Sequence, residues 1–406
     1  MMQTILIAVL TAAQAYLLGS VDTGILISKF VYHDDVRNHG SGAAGMTNML
    51  RTFGKKAAAL TAAGDVLKGV AAVCIGRWLF HFLPADAGIS AVIATDISTI
   101  LYCRRRGVPV HISTQANISN TEAVRYYAQW AETVVLSREL NLTQVEAIHR
   151  AIVSEPILGP GGKPVSIEMF CHGALCMAVS GKCYLSLHAM NSSANRGACT
   201  QICRRAYRLS DKDSDNEIEV DNEFLMSPKD LKTIHFLDRM VDAGVRVFKI
   251  EGRARGPEYV AATVSCYDEA LRAICDGSFG EEKVRGWDER LARVFNRGFW
   301  NGYYLGQRLG EWSGKYGSSA TRTKSYAARP LRYFPRLGVA EFLLEAGEIR
   351  VGDELLVTGP TTGALEFKAG ELRLDSGVTD KVVKGDVFSV AVPAKIRLSD
   401  RLYLLR

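Results

Sequence analysis

The sequence predicts an α/β chain with two apolar helices at its N-terminus and a small β-barrel at its C-terminus. Residues 3–21 contain no charged side chain, and short β-branched segments alternate with helical ones from residue 89. After residue 337, short alternating strands recur between Gly-Asp and Gly-Pro turns. We expect domains at 1–88, 89–320 and 337–406, with a basic linker at 321–336.

Size and composition limit the function classes only loosely. With 406 residues, of which 48% are hydrophobic, the chain is long enough to bury more than one core. A net charge of +6 permits an RNA or phosphate partner without requiring one. The nine cysteines are unevenly placed, which favours a reducing compartment over a disulfide scaffold.

The N-terminal apolar stretches are predicted to be membrane helices. Residues 3–21 are long enough to cross a bilayer. The second stretch, 57–83, contains Asp65, Lys68 and Arg77, and ionisable groups at membrane depth are by default functional or paired. The alternative is a pair of ordinary buried helices.

A Gly- and Ser-rich loop lies between these stretches. Its backbone amides, together with His39, Ser41, Asn48 and Arg51, could bind a phosphate. Glycine-rich loops are common, so the spacing alone is weak evidence.

Three segments of this region resemble a known family: LLGSVDTG at 17–24, HGSGAAGMTNMLRTFG at 39–54 and GDVLKG at 64–69. They are similar to the start of the membrane glycerol-3-phosphate acyltransferases that use acyl-phosphate as donor. The resemblance covers about residues 1–83 and implies a fragment of a phospholipid-synthesis enzyme in the membrane. The family's later phosphate loop and C-terminal motif are missing, so this chain is not expected to transfer acyl groups.

From residue 89 the pattern predicts βαβ units and a parallel sheet. The predicted strands are Ala91–Thr95, Val108–Ser113, Thr133–Leu136, Val165–Phe170 and Val245–Ile250. The predicted helices are Ile97–Arg106, Thr121–Ala131, Leu142–Val153 and Pro228–Ala243.

The densest chemical signal is a run of cysteines. Cys176, Cys183, Cys199 and Cys203 follow the spacing C-x6-C-x15-C-x3-C, and Cys171 lies just before them. Thiolates among Gly, Ser and Asn suit a soft metal or an iron–sulfur cluster. There is no C-x2-C pair and no histidine at a zinc-finger position. The alternatives are buried free thiols, or disulfides if the chain is secreted.

The segments EMFCHGALCMAVSGKCYLS at 168–186 and NRGACTQICRR at 195–205 resemble the signature of the collagenase-like peptidase family, peptidase U32. That family includes the tRNA 5-hydroxyuridine hydroxylation proteins. The resemblance continues through MSPKDL at 226–231, FKIEGRARGPEYV at 248–260 and NRGFWNGYYLG at 296–306. It extends from about residue 89 to the C-terminus.

The resemblance implies a (β/α)8 barrel, of which only about five βα units are present. The predicted fold class is therefore an incomplete (β/α)8-type barrel with an N-terminal two-helix membrane fragment and a C-terminal small β-barrel. The first three units are replaced by the membrane fragment, which suggests a fusion of two truncated genes. A partner chain could complete the barrel, and the sequence leaves open whether one does.

The hydroxylation branch implies a function. Its members suggest a 4Fe-4S cluster bound by Cys176, Cys183, Cys199 and Cys203, with Cys171 as a substitute ligand. The reaction would be hydroxylation of the tRNA wobble uridine, with prephenate or a similar small anion as hydroxyl source. The chemistry would be cytoplasmic, tethered to the plasma membrane by residues 1–83.

Residues at the carboxyl ends of barrel strands are the catalytic candidates. They are Arg138, Glu139, Glu168, His172, Lys249, Glu251 and Arg253. We expect Arg138 to pair with Glu139, and Lys249 with Glu251 and Arg253. Such a group could hold an anionic small molecule or a nucleotide phosphate. Structural salt bridges are the alternative. Arg204, Arg205 and Arg208 would suit RNA phosphates.

A collagenase-like peptidase is the alternative function. The sequence contains no G-x-S-x-G, no H-E-x-x-H and no recognisable cysteine nucleophile signature. The residues therefore give the peptidase interpretation little chemical support.

Overall fold

The computed structural model describes residues 22–39, 46–80, 91–207, 224 and 226–406. The chain divides into two compact units, Met1–Ser90 and Ala91–Arg406.

The described part of the first unit is helical. It contains helix α1 (Thr23–Val31), a 3-10 turn (Val36–Asn38) and helix α2 (Met46–Phe80). Asp22 caps α1 by accepting a hydrogen bond from the Ile25 amide. Helix α2 is interrupted at Gly54, whose φ of 82° suits glycine.

The predicted membrane fragment is wrong. Among the described residues, no helix is long and apolar enough to span a membrane. Helix α2 includes the second predicted span up to residue 80, and Asp65, Lys68 and Arg77 lower its hydropathy. The first predicted span, 3–21, lies outside the described residues.

The residues of the predicted phosphate loop have structural contacts. The buried Asn48 side chain donates to the backbone carbonyls of Val36 and His39. His39 forms an ion pair with Asp34 across 2.8 Å, and Arg51 is exposed. Ser41 lies outside the described residues. These contacts give Asn48 a structural role that needs no phosphate.

The second unit begins with α/β structure. In its described residues the strands are β1 (Val92–Ala94), β2 (Val110–Ile112), β3 (Thr133–Val135), β4 (Ser166–Gly173), β5 (Asp230–Lys232), β6 (Val245–Glu251) and β7 (Phe299–Trp300). The helices are α3 (Ile97–Arg105), α4 (Thr121–Ala128), α5 (Leu142–Ser154), α6 (Leu185–Met190), α7 (Leu237–Asp242), α8 (Pro257–Cys275) and α9 (Glu281–Arg293).

Local sequence signals set several of these helix starts. Asn120 caps α4, and Asn141 with Gln144 forms a capping box at α5. Pro257 opens α8, where a missing amide hydrogen costs nothing. At these three positions, the local sequence indicates where the helix begins.

The strands of this region form one mixed sheet over the described residues. Its order is β1-β2-β3-β4-β5-β7, and β6 also pairs with β4. Strands β1 to β4 are parallel, and so is the β4–β6 pair, but β5 runs antiparallel to β4. Ile112, Val134, Ile167 and Met169 are buried in its core.

The predicted fold class is therefore corrected. The α/β alternation is present, but the described strands form several sheets, and the first of them is mixed rather than purely parallel. The predicted helix Pro228–Ala243 is also wrong, because its first part forms β5 and only 237–242 is α-helical. Asp230 is 1% exposed and pairs with Arg255, a contact from distant sequence that outweighs local helix preference.

The C-terminal residues form antiparallel sheets. Their strands, as far as the chain is described, are β8 (Lys324–Phe334), β9 (Val339–Leu344), β10 (Glu348–Arg350), β11 (Glu354–Gly359), β12 (Gly363–Lys368), β13 (Leu372–Leu374), β14 (Gly377–Thr379), β15 (Lys381–Val383), β16 (Val387–Ala391) and β17 (Arg401–Leu405). Eight form one sheet in the order β12-β11-β17-β8-β9-β16-β13-β14. Strands β10 and β15 form a separate ribbon. This C-terminal part has a hydrophobic core of its own, which includes the buried side chains of Phe342, Phe388 and Leu402.

Candidate functional site

The cysteine segment follows strand β4. Cys171 lies within the strand and is fully buried, and its thiol donates to the Lys249 carbonyl. Burial raises its pKa far above the ordinary range, so it stays a protonated structural thiol here. The other four cysteines lie beyond the strand, where Cys176 and Cys199 are exposed and Cys183 and Cys203 are partly buried.

These four thiols interact electrostatically. Burial raises the pKa of Cys203, Arg204 lowers it, and the charges of Cys176, Cys199 and Cys183 raise it further. The thiol of Cys203 thus interacts electrostatically with cysteines that are far from it in the sequence of the segment.

The loop also provides hydrogen bonds to sulfur. The Gln201 amide donates to Cys199 Sγ at 3.4 Å, and the Ser186 hydroxyl lies 3.7 Å from the same atom. Gln201 has a φ of 54°, in the left-handed region that non-glycine residues seldom occupy. The strained residue therefore aims its amide at a thiol, an arrangement found around metal-bound thiolates.

The donor set suits an iron–sulfur cluster in chemical kind, because one segment contains four thiols and donors to the sulfur of Cys199. No group of three or more His, Cys, Asp or Glu in the described residues is already arranged around a metal position. The four side chains would have to converge further to ligate a cluster.

A pocket of about 480 Å³ opens beside this loop. Aromatic and aliphatic side chains form much of its wall, and its polar side includes Asn117, Ser137, Arg138 and Glu139. Cys176 also lines it. A largely apolar pocket with a few convergent polar groups is the usual form of a small-molecule site.

Arg138 lines this pocket, and its guanidinium group is held by several contacts. Its guanidinium stacks 4.0 Å from the Phe170 ring and donates to the Ala174 carbonyl, while its Nε is buried without a partner. Burial lowers its pKa, and the charges of Tyr304 and Cys176 raise it. Arg138 was predicted to pair with Glu139, but the described residues contain no ion pair between the two, and Glu139 is exposed.

Glu168 lies between a histidine and a lysine at the sheet. Its carboxylate accepts from His111 Nδ1 at 2.8 Å and lies 3.1 Å from Lys249 Nζ. Burial raises the pKa of Glu168, but the His111 hydrogen bond and the Lys249 charge outweigh this and lower it. Lys249 thus pairs with Glu168 and not with the predicted Glu251.

His172 and Glu251, two further candidates at strand ends, make contacts within the fold. His172 is buried among the rings of Tyr259, Tyr267 and Phe299. Burial lowers its pKa to about 3, so the ring is neutral, and it is bonded to Tyr267. Glu251 accepts from the Arg253 amide within its own turn.

One network was missed from the sequence. Asp230 forms ion pairs with Arg255 at 2.8 Å and Arg297 at 3.4 Å. Arg204 was expected to bind RNA, but its guanidinium donates to the carbonyls of Pro228 and Leu175. It fastens the cysteine loop to β5. The charged residues inside the motifs MSPKDL and NRGFW were the sequence signal that could have indicated this network. Arg208, which was also expected to bind RNA, lies outside the described residues.

Comparison with known proteins identifies the family. The model for peptidase family U32 matches residues 79–314. The chain belongs to this family. The match begins near the end of residues 1–83, and nothing in these comparisons supports the acyltransferase resemblance of that segment or the gene fusion inferred from it.

Curated U32 relatives have two kinds of name. A collagenase of Porphyromonas gingivalis is 60% identical over 317 residues, which is 78% of this chain and 77% of that protein. tRNA hydroxylation protein P1 of Bacillus subtilis is 36% identical over 219 residues, 52% of this chain and 49% of its own length. A 23S rRNA 5-hydroxycytidine synthase of Escherichia coli is 39% identical over 192 residues, 47% of this chain and 27% of that enzyme.

Proposed function

We propose that this U32 protein hydroxylates RNA with the help of a 4Fe-4S cluster held by Cys176, Cys183, Cys199 and Cys203. The substrate would be the wobble uridine of tRNA, and prephenate or a similar small anion would supply the hydroxyl group. RNA hydroxylation is the function named for two of the relatives.

One observation supports this proposal most. Cys176 lines the 480 Å³ pocket and lies within electrostatic reach of both Arg138 and Cys203. The presence of Cys176 in the pocket wall supports a site shared by the pocket and the thiols. A cluster bound by the thiols would supply electron transfer, at a potential set by hydrogen bonds to its sulfurs and by solvent exposure.

The chain's own residues have defined tasks in this scheme. Arg138 would bind a carboxylate of the small anion, since its guanidinium is held in place by Phe170 and Ala174. The aromatic wall of Trp300, Tyr303 and Trp312 would contact the apolar part of that molecule and exclude water.

A peptidase is the alternative because the P. gingivalis relative is named a collagenase. A nucleophile should be hydrogen-bonded to its base. Cys171 instead donates to the Lys249 carbonyl, and His172 is bonded to Tyr267. These sequence neighbours do not form a catalytic pair, which favours the hydroxylation proposal.

The proposal is tested first by iron content. The full chain, reconstituted anaerobically with iron and sulfide, should bind about four iron atoms and show the broad visible absorption of a 4Fe-4S cluster. Replacing Cys183 or Cys203 by Ser should remove most of that iron, because each supplies one ligand. The measurements are iron analysis and the absorption spectrum.

Cys275→Ser is the matched control, since Cys275 is an exposed free thiol on α8. It should leave iron binding unchanged. A wild-type chain that stays colourless and iron-free after reconstitution would contradict the proposal, and so would equal iron in the Cys183 variant.

A further inference from the structure

A second pocket, of about 380 Å³, is lined in part by Cys199. Three arginines line it, namely Arg204, Arg205 and Arg297. The described lining also contains Phe295 and Tyr316 but no Asp or Glu. This arginine pocket is distinct in its lining from the one that includes Arg138.

Two of its arginines are held in place. Arg297 donates to the Gln201 side-chain oxygen at 3.2 Å and pairs with Asp230 at 3.4 Å. Arg204 is fixed by its bonds to backbone carbonyls. Fixed guanidinium groups lose little conformational entropy when they bind an anion.

Positive charge exceeds negative charge around these arginines. Asp230 is shared between Arg255 and Arg297, so one carboxylate faces two guanidinium groups directly. Arg204 adds a third cation whose hydrogen bonds go to uncharged oxygens, and Arg205 adds a fourth that is exposed. Such an excess favours an incoming anion.

Aromatic surface accompanies the charge. Tyr316 is 73% exposed, so the face of its ring is open to solvent. Phe295 lies beneath the guanidinium groups of Arg255 at 4.1 Å and Arg297 at 5.3 Å. Cations for phosphates next to an open ring for a base are what single-stranded RNA requires.

We propose that the arginine pocket binds a backbone phosphate of single-stranded RNA and that Tyr316 stacks on the neighbouring base. This inference rests on the proposed function and specifies where the RNA lies. Arg205 and Arg297 contact the phosphate, while Cys199, in the same lining, sets the pocket next to the cluster ligands.

The test is binding of a fluorescent anticodon stem–loop RNA to the full chain, followed by anisotropy. Arg205→Ala should weaken binding about tenfold, because a hydrogen bond to a charged group is lost. The slope of log affinity against log salt should fall by about 0.7, the loss of one single-strand phosphate contact. Tyr316→Ala should also weaken binding about tenfold, and Tyr316→Phe should not.

Arg285→Ala is the matched control, because Arg285 is exposed on α9 and does not line this pocket. It should retain wild-type affinity and salt slope. Iron content is measured in parallel. If Arg205→Ala loses iron and keeps its RNA affinity, the arginines stabilise the cluster ligands and the RNA site is refuted.

The two proposals fail in different ways. RNA binding that depends on Arg205 and Tyr316 without any hydroxylation would support this site and refute the enzyme. Hydroxylation and RNA affinity that ignore both substitutions would refute this site and leave the enzyme standing.

Discussion

Glu168 shows how a single residue is stabilised by its surroundings. Its side chain is 3% exposed and is balanced by Lys249 and His111, which are 20% and 23% exposed. The Glu168–Lys249 ion pair is intermediate in exposure. Removing one partner of a fully buried ion pair strongly destabilises a protein, whereas removing one partner of a surface pair has little effect. The chain therefore depends on the charge of Glu168 for stability.

Replacing Glu168 with Gln should lower the free energy of unfolding by about 2 kcal/mol, because Lys249 loses its buried counter-charge. Urea denaturation at neutral pH measures this. Glu371→Gln is the control, since Glu371 pairs with Arg373 on the surface, and it should change stability by less than about 0.5 kcal/mol. Equal effects of both substitutions would refute the buried-pair account.

The same residue predicts a pH dependence. The folded pKa of Glu168 lies below its ordinary value of 4.5, so its stabilisation is complete above that value. It is lost as the pH falls through the lower, folded pKa. The stability difference between the wild type and Glu168→Gln should therefore shrink on acidification below pH 4.5, and a difference that grows instead would contradict the assignment.

Among the elements, β4 organises the site. It pairs with β3, β5 and β6, places Glu168 at the sheet and leads into the cysteine segment. Its last residue, Gly173, has a φ of 109°. A Cβ there would lie 2.5 Å from the Glu251 carbonyl oxygen and 2.8 Å from the Tyr259 hydroxyl. Only glycine fits at this approach of β4 to β6.

Gly173→Ala should destabilise the chain by about 2–4 kcal/mol, the sum of backbone strain and a steric clash. Gly286→Ala on α9 is the control, because nothing lies near its missing Cβ. That change should stabilise the chain by roughly 0.5–1 kcal/mol, since alanine favours a helix interior. Thermal melting of both variants gives the comparison, and a neutral Gly173→Ala would contradict the close approach.

Sequence patterns predicted those elements that local signals decide. The strand beginning at Thr133 and the helix beginning at Leu142 are confirmed, because β-branched residues and the Asn141 cap act locally. The helix expected at Pro228 failed because Asp230 is bound by arginines from distant segments. Likewise, no local pattern could reveal that Lys249 pairs with Glu168 instead of Glu251. The cysteine spacing located the thiols, while the roles of Arg138 and Glu168 as catalytic residues stay predictions.

In the molecule as a whole, two pockets are lined by residues of one cysteine segment. Arg138 and Cys176 belong to the first, and Arg205 and Cys199 to the second. A small anion in the one and RNA in the other would both lie beside the thiols. This arrangement explains why an RNA-modifying enzyme would place its basic and aromatic residues next to cysteines, which a peptidase has no need to do.

The most direct test is the reaction itself. The iron-loaded full chain is incubated anaerobically with unmodified tRNA and prephenate, and the tRNA is then digested and its nucleosides measured by mass spectrometry. We expect a uridine that has gained one oxygen atom, formed only with prephenate and absent with Cys183→Ser. Unchanged uridine from a fully iron-loaded chain that cleaves gelatin would contradict the account and favour the peptidase.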